Sequence, residues 1–175
     1  AIYFLVPTCY PERKVDVEEN DIHAMFNWYV ELFVRMISYD PKKAKAYVTT
    51  WPIDESFYFR KLRLFALNHA ELFGAEEVVD SLMALSQESF WDHDARRELL
   101  FLLRDRWEGF SVKSRQILAE RLLDGPDESD EEYPTLSKEI ACRYSRWLTL
   151  QGKELSKSQT SRLDNMLSEL PRWND

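Results

Sequence analysis

Glycine is scarce in this chain: four residues in 175, at positions 74, 109, 125 and 152. Phosphate-cradling loops need clustered glycines, and neither a G-x-G turn nor a P-loop occurs. Cysteine is scarcer still. Cys9 and Cys142 are far apart in sequence, which provides neither a disulfide framework nor a zinc knuckle, and both read as small buried residues in a reducing compartment. The three histidines, His23, His69 and His93, form no H-x3-H or H-E-x-x-H pair, and there is no C-x-x-C. No G-x-S-x-G elbow offers a serine nucleophile. The expectation is therefore no metal, no cofactor and no catalytic residue. No run reaches the length of about 18 apolar residues that a membrane helix needs, and no signal peptide is visible. That reads as a cytoplasmic protein that does not enter a membrane. Positive charge is outweighed, 23 basic against 31 acidic residues for a net charge of -8, which argues against non-specific binding to nucleic acid or to anionic lipid.

Proline is absent from position 53 through position 125; all seven lie at 7, 11, 41, 52, 126, 134 and 171, where helices should stop. What remains is rich in helix formers, with 45% hydrophobic and 14% aromatic residues, too apolar for disorder over most of its length. Residues 1–19 read as an extended segment with a strand-like 2–6 and a linker, 11–20 "PERKVDVEEN". Residues 20–171 read as a helical-repeat domain, and 172–175 as a tail continuing into a missing region. The start at Ala1 rather than Met fits a fragment of a longer protein.

Within that domain Ile22, Met25, Phe26, Tyr29, Phe33 and Met36 recur at helical spacing behind Asp21. A short helix should follow Pro41 and end near Thr49. The next should run from about Asp54 to Phe73, with the stripe Tyr58, Leu62, Phe65, His69 and Leu72, and His69 as a core histidine. Gly74 breaks it and "AEEVVDSLMAL" follows. The pattern then repeats: "ARRELLFLLRDRW" to Gly109, Ser111 capping "VKSRQILAERLL"; then Thr135 into "LSKEIACRYSRWLTL", Gly152, and Ser156 capping the last helix. Ser111 and Ser156 each precede a leucine by seven residues, and glycines 74, 109 and 152 are 35 and 43 apart. This is a helical-hairpin period of HEAT or tetratricopeptide size. The fold expected is all-α, about eight helices in antiparallel hairpins stacked as a short α-solenoid, with Trp107 and Trp147 packed between repeats.

The stretch "FWDHDARRELLFLLRDRWEGFS", 90–111, carries the most chemistry-bearing residues. Asp92, His93 and Asp94 could be the corner of a metal site or an acid–base pair. They also have every attribute of a helix start: an acceptor for orphan amides, acids in the first turn, Phe90 and Trp91 as an apolar staple, and Glu98 near a capping-box position. The capping role is the expectation. A small all-α enzyme with a site near Asp92, His93 and His69 is the alternative reading, and a structural spacer is another. Arg60, Lys61 and Arg63, then Arg96 and Arg97, recur about one repeat apart. Lys138 holds a similar place in the third hairpin, and stacking would align these bases into a ridge able to meet an acidic partner, a phosphate or another domain; paired surface charges are the plainer reading.

The segment "FWDHDARRELLFLLRDRWEGFSVKSRQILAERLLDGP", with "RWLTLQGKELS" and "LPRW", resembles an uncharacterised helical domain family. That family lies at the C-terminal side of large bacterial proteins, some with a SIR2-like N-terminal domain. The resemblance covers about residues 50–175 and carries no catalytic motif. It implies a cytoplasmic bacterial protein of an anti-phage or nucleotide-depleting system, with the enzyme upstream. The expected function is thus a non-catalytic interaction or sensing module whose partner is a protein, either that upstream domain or another chain.

Overall fold

The computed structural model describes residues 8–10, 21–52, 56–127 and 135–170. The expected strand 2–6, the linker 11–20, the acidic stretch from 128, Trp173 and the tail lie outside them. Among the described residues there is no strand. The described residues form eight α-helices of eight residues or more, and one single-turn helix. The all-α expectation is correct. The chain divides into two compact units, residues 1–78 with 92–102, and residues 79–91 with 103–175.

In the first unit α1 (Asp21–Tyr39) packs on α2 (Pro41–Val48). Asp40 ends one helix and starts the next, its carboxylate accepting from the Lys43 amide ahead of Pro41, a cap worth about 1 kcal/mol. The buried face of α1 is His23, Phe26, Val30, Phe33 and Ile37. This corrects the expected stripe: Met25 and Tyr29 are exposed. Phe33 meets the Trp51 ring at 5.1 Å. Helix α3 (Phe57–Leu67) starts at the Ser56 cap. It is buried at every position from Arg60 to Leu67 except Arg63, as expected for a helix apolar on nearly all sides. It stops at Leu67 rather than Phe73. Tight turns at Asn68, His69, Leu72 and Phe73 bury both Leu72 and Phe73 and leave Ala70 and Glu71 in solvent. Helix α4 (Ala75–Ala84) follows Gly74, whose amide is accepted by Glu77.

Helix α4 ends in the second unit. There Arg121 donates to the carbonyls of Leu82, Met83, Leu85 and Ser86, which a helix end otherwise leaves without partners. The same guanidinium lies over the Phe90 ring at 4.1 Å, a stacked position that suits arginine. Phe90 closes the one-turn α5 (Gln87–Phe90).

Helix α6 (Arg96–Arg106) runs between two 3-10 turns, His93–Ala95 and Trp107–Gly109. Ser111 caps α7 (Val112–Asp124) through the Ser114 amide. Ser156 caps α9 (Lys157–Ser168) in a full capping box with Gln159. Both caps fall where the sequence places them. Helix α8 (Leu136–Leu150) completes a group of three, α7, α8 and α9, in mutual contact. Leu123, Cys142, Leu163 and Leu170 form its buried cluster. Gln159 also ties α9 to α7, donating to the Gln116 carbonyl and to Glu120. Gly125 ends α7 at φ 74, a left-handed conformation that disfavours side chains. A Cβ there would stand 2.8 Å from Ser137 Oγ and 2.9 Å from its carbonyl oxygen.

Candidate functional site

Glu98 lies on the first turn of α6 and is fully buried in the first unit. Its carboxylate bonds to Thr8 and Cys9 and not back to the start of its own helix, which overturns the capping-box expectation for this residue. Ala95, Glu98 and Leu102 share helical spacing and are all buried. Glu98 therefore occupies a core position. One carboxylate oxygen, Oε1, accepts from Thr8 Oγ1 at 2.8 Å and from the Cys9 amide at 2.9 Å. The other, Oε2, has no hydrogen-bond partner among the described residues. It lies 3.9 Å from Lys61 Nζ, too long for a hydrogen bond but close enough to pair charge.

Lys61 is itself only 2% exposed. Burial lowers its pKa, and the Glu98 carboxylate works in the opposite direction. An isolated buried charge costs several kcal/mol, and pairing recovers only part of that. Beside this pair, Arg60 is bonded to Asp92, both largely buried. Asp92 uses its second oxygen to cap the turn at the Asp94 amide, so its expected capping role holds, on the 3-10 turn that leads into α6.

The expected basic ridge is not a surface ridge. Arg60 and Lys61 point inward into these pairs. Arg63 is half-buried and donates to the Val48 carbonyl at the end of α2. Arg96 and Arg97 are half-buried, and Arg97 donates to the Tyr10 carbonyl. Burying apolar neighbours on α3 carried its bases inward, and each met an acid or a carbonyl there. His93 stands in solvent, its side chain 81% exposed, 3.8 Å from Asp94. His69 is half-buried with its ring edge-on to Phe65. Phe90 and Trp91 have partners inside the second unit, Phe90 the Arg121 guanidinium and Trp91 the Tyr144 ring at 5.3 Å. Trp107 is fully buried, as expected, and Trp147 half-buried.

Sequence reasoning missed residues 8–10 and the Lys61–Glu98 pair. The available signal was helical spacing: Lys61 lies in register with Phe57, Leu64 and Phe65, and Glu98 with Ala95 and Leu102.

Both thiols are buried. Burial first, then the Glu98 charge, raises the Cys9 pKa well above the ordinary thiol value, and burial raises Cys142 as well. Neither carries a reactive thiolate. A chromogenic disulfide reagent is expected to find almost no fast-reacting thiol in the folded chain and two after denaturation. A fast stoichiometric reaction at neutral pH would contradict this burial.

A second feature of the first unit is apolar. Met25, Trp28, Tyr29 and Leu32 are exposed at spacings of three and four on α1, with Trp28 62% exposed. Beside them Phe26, Tyr58, Phe59 and Leu62 complete a groove of about 350 Å³ without a charged side chain.

Among the described residues no group of His, Cys, Asp and Glu is arranged to hold a metal, and no helix is long and apolar enough to cross a membrane. These features define an all-α protein with a buried ion-pair cluster and an open apolar groove. The chain matches no protein-family model, no curated protein and no solved structure.

Proposed function

We propose that this chain is a non-catalytic protein-interaction or sensing module of a larger cytoplasmic bacterial protein, and that it docks its partner on the exposed face of α1. The observation that carries this reading is the stripe Met25, Trp28, Tyr29 and Leu32, left in solvent beside the uncharged groove. Contiguous exposed apolar surface of this kind marks binding sites, and tryptophan and tyrosine dominate hot spots. The stripe is short, four side chains over about two turns of one helix. It suits a single amphipathic helix laid in the groove, with apolar anchors at i, i+3, i+4 and i+7. The partner segment belongs to an upstream domain or to another protein.

The proposal includes a finer arrangement, with helices paired as antiparallel hairpins stacked in a HEAT- or tetratricopeptide-like solenoid. The recurrence of serine-capped helices, each with a buried leucine seven residues after its cap, supports it. The resemblance to the helical C-terminal domains supports the bacterial, enzyme-linked setting.

The test uses a fluorescein-labelled designed amphipathic helix with leucine and tryptophan anchors. Anisotropy is expected to show micromolar binding to the chain. Met25→Glu with Trp28→Glu should weaken it at least tenfold and leave the melting temperature unchanged, because exposed side chains contribute little to folding. A folded double variant that binds like the parent would remove the α1 face from consideration.

A further inference from the structure

The first unit also holds a short peptide segment, its own, bent at Cys9 and Tyr10 with the Tyr10 amide donating to Thr8 Oγ1 at 3.1 Å. Thr8, Cys9 and Tyr10 are gripped by side chains of α3 and α6 and of the turn after α3. Glu98 takes the Thr8 hydroxyl and the Cys9 amide on one oxygen. Arg97 donates to the Tyr10 carbonyl at 3.4 Å. The Tyr10 ring lies between Phe65 and Phe101, with centroids 5.1 and 5.0 Å away, and its hydroxyl accepts from Asn68 Nδ2 at 2.8 Å. This arrangement has the parts of a peptide-recognition site: backbone groups held at two points, one hydroxyl read by a carboxylate, and one phenol read by an aromatic slot with a polar end. The middle residue is engaged through its main chain.

Two further observations distinguish this contact from ordinary core packing. The site contains a fully buried carboxylate with an oxygen that has no hydrogen-bond partner among the described residues, and a buried lysine 3.9 Å from it. An apolar pair would fill that space at no cost in desolvation, and violations of this kind concentrate at functional sites. Keeping Glu98 and Lys61 out of water also offsets part of what the segment gains by docking. The balance favours a segment that can leave.

We propose that Thr8–Cys9–Tyr10 is an exchangeable internal ligand, and that the slot formed by Phe65, Asn68, Arg97, Glu98 and Phe101 accepts an equivalent short, bent segment of a protein partner. The recognised chemistry is a small hydroxyl residue followed two positions later by a tyrosine. Occupancy by the chain's own segment holds the site closed to weak partners, because an attached ligand competes at an effective concentration of about a millimolar. This site is separate from the α1 groove and stands independently of it.

The test uses the full chain carrying Tyr10→Ala and a fluorescein-labelled hexapeptide of residues 7–12, Pro-Thr-Cys-Tyr-Pro-Glu. The Tyr10→Ala chain is expected to bind the peptide at least tenfold tighter than the unaltered chain does. A peptide with alanine in place of both the threonine and the tyrosine should not bind. Hydrogen exchange on the unaltered chain supplies the second measurement: the Cys9 amide should exchange by local opening, faster than the amide of Leu118 in the second unit. The proposal is overturned if the folded Tyr10→Ala chain binds the peptide no better than the parent, or if that variant is unfolded at 25 °C. Exchange of Cys9 only through global unfolding would overturn it equally.

Discussion

Glu98→Ala is expected to destabilise the chain by about 3–5 kcal/mol, the range for removing one member of a buried charge pair. Two consequences add. Lys61, 2% exposed, loses the buried carboxylate 3.9 Å from its ammonium. The Thr8 hydroxyl and the Cys9 amide lose their acceptor, and each donor left unsatisfied costs about 1–3 kcal/mol when buried. Glu98→Gln keeps an acceptor for both and removes only the charge, so its loss should be smaller. Urea denaturation of the three proteins gives the order directly. The pH dependence has a definite sign. Burial puts the folded pKa of Lys61 below its ordinary 10.5, so between the two values the unfolded chain holds the proton more tightly. Stability contributed by this group therefore rises as pH climbs through that window. A loss below about 1 kcal/mol for Glu98→Ala would mean that the pair is open to water in solution.

Trp107→Ala should cost about 3–5 kcal/mol, as large aromatic deletions in a core do. The indole is completely buried in the second unit, in the turn that follows α6, and meets Phe110 edge-on at 6.4 Å. Its Nε1 has no hydrogen-bond partner among the described residues. Its contribution is thus shape and apolar area, and Trp107→Phe should retain much of the stability. The melting temperature is the simplest readout, with a fall of roughly 10 °C expected for the alanine variant. A variant that melts within 2 °C of the parent would show that the residue does not fill the core.

The features legible in the sequence are those governed by neighbouring residues. The helix start at Pro41, the caps at Ser111 and Ser156 and the stop at Gly152 follow from local backbone chemistry, and each lies where expected. Trp107 and Cys142 fall on the apolar faces that helical spacing predicts and are buried accordingly. The phase of α1 was not legible, because its 19 residues carry apolar side chains on several faces, and periodicity cannot say which face finds a partner. The candidate site was hidden for a related reason. Lys61 and Glu98 are 37 positions apart, and Thr8 bonds across 90. Read locally, a lysine and a glutamate on a helix are solvent-facing charges. Only the fold brings them together, and it turns the presumed ridge residues Arg60 and Lys61 inward.

Gly125 bears on how this sequence can drift. A side chain at that position would meet both the hydroxyl and the main-chain oxygen of Ser137, in a backbone conformation that L-residues avoid. Shrinking Ser137 to alanine removes the first obstacle and leaves the other two. No single compensating substitution can therefore free position 125, whereas the positions of Gly74 and Gly109 have room for a methyl group. Of the turn glycines, the one after α7 is thus the least replaceable, and chains related to this one by gradual substitution should keep it after the sequence around it has changed.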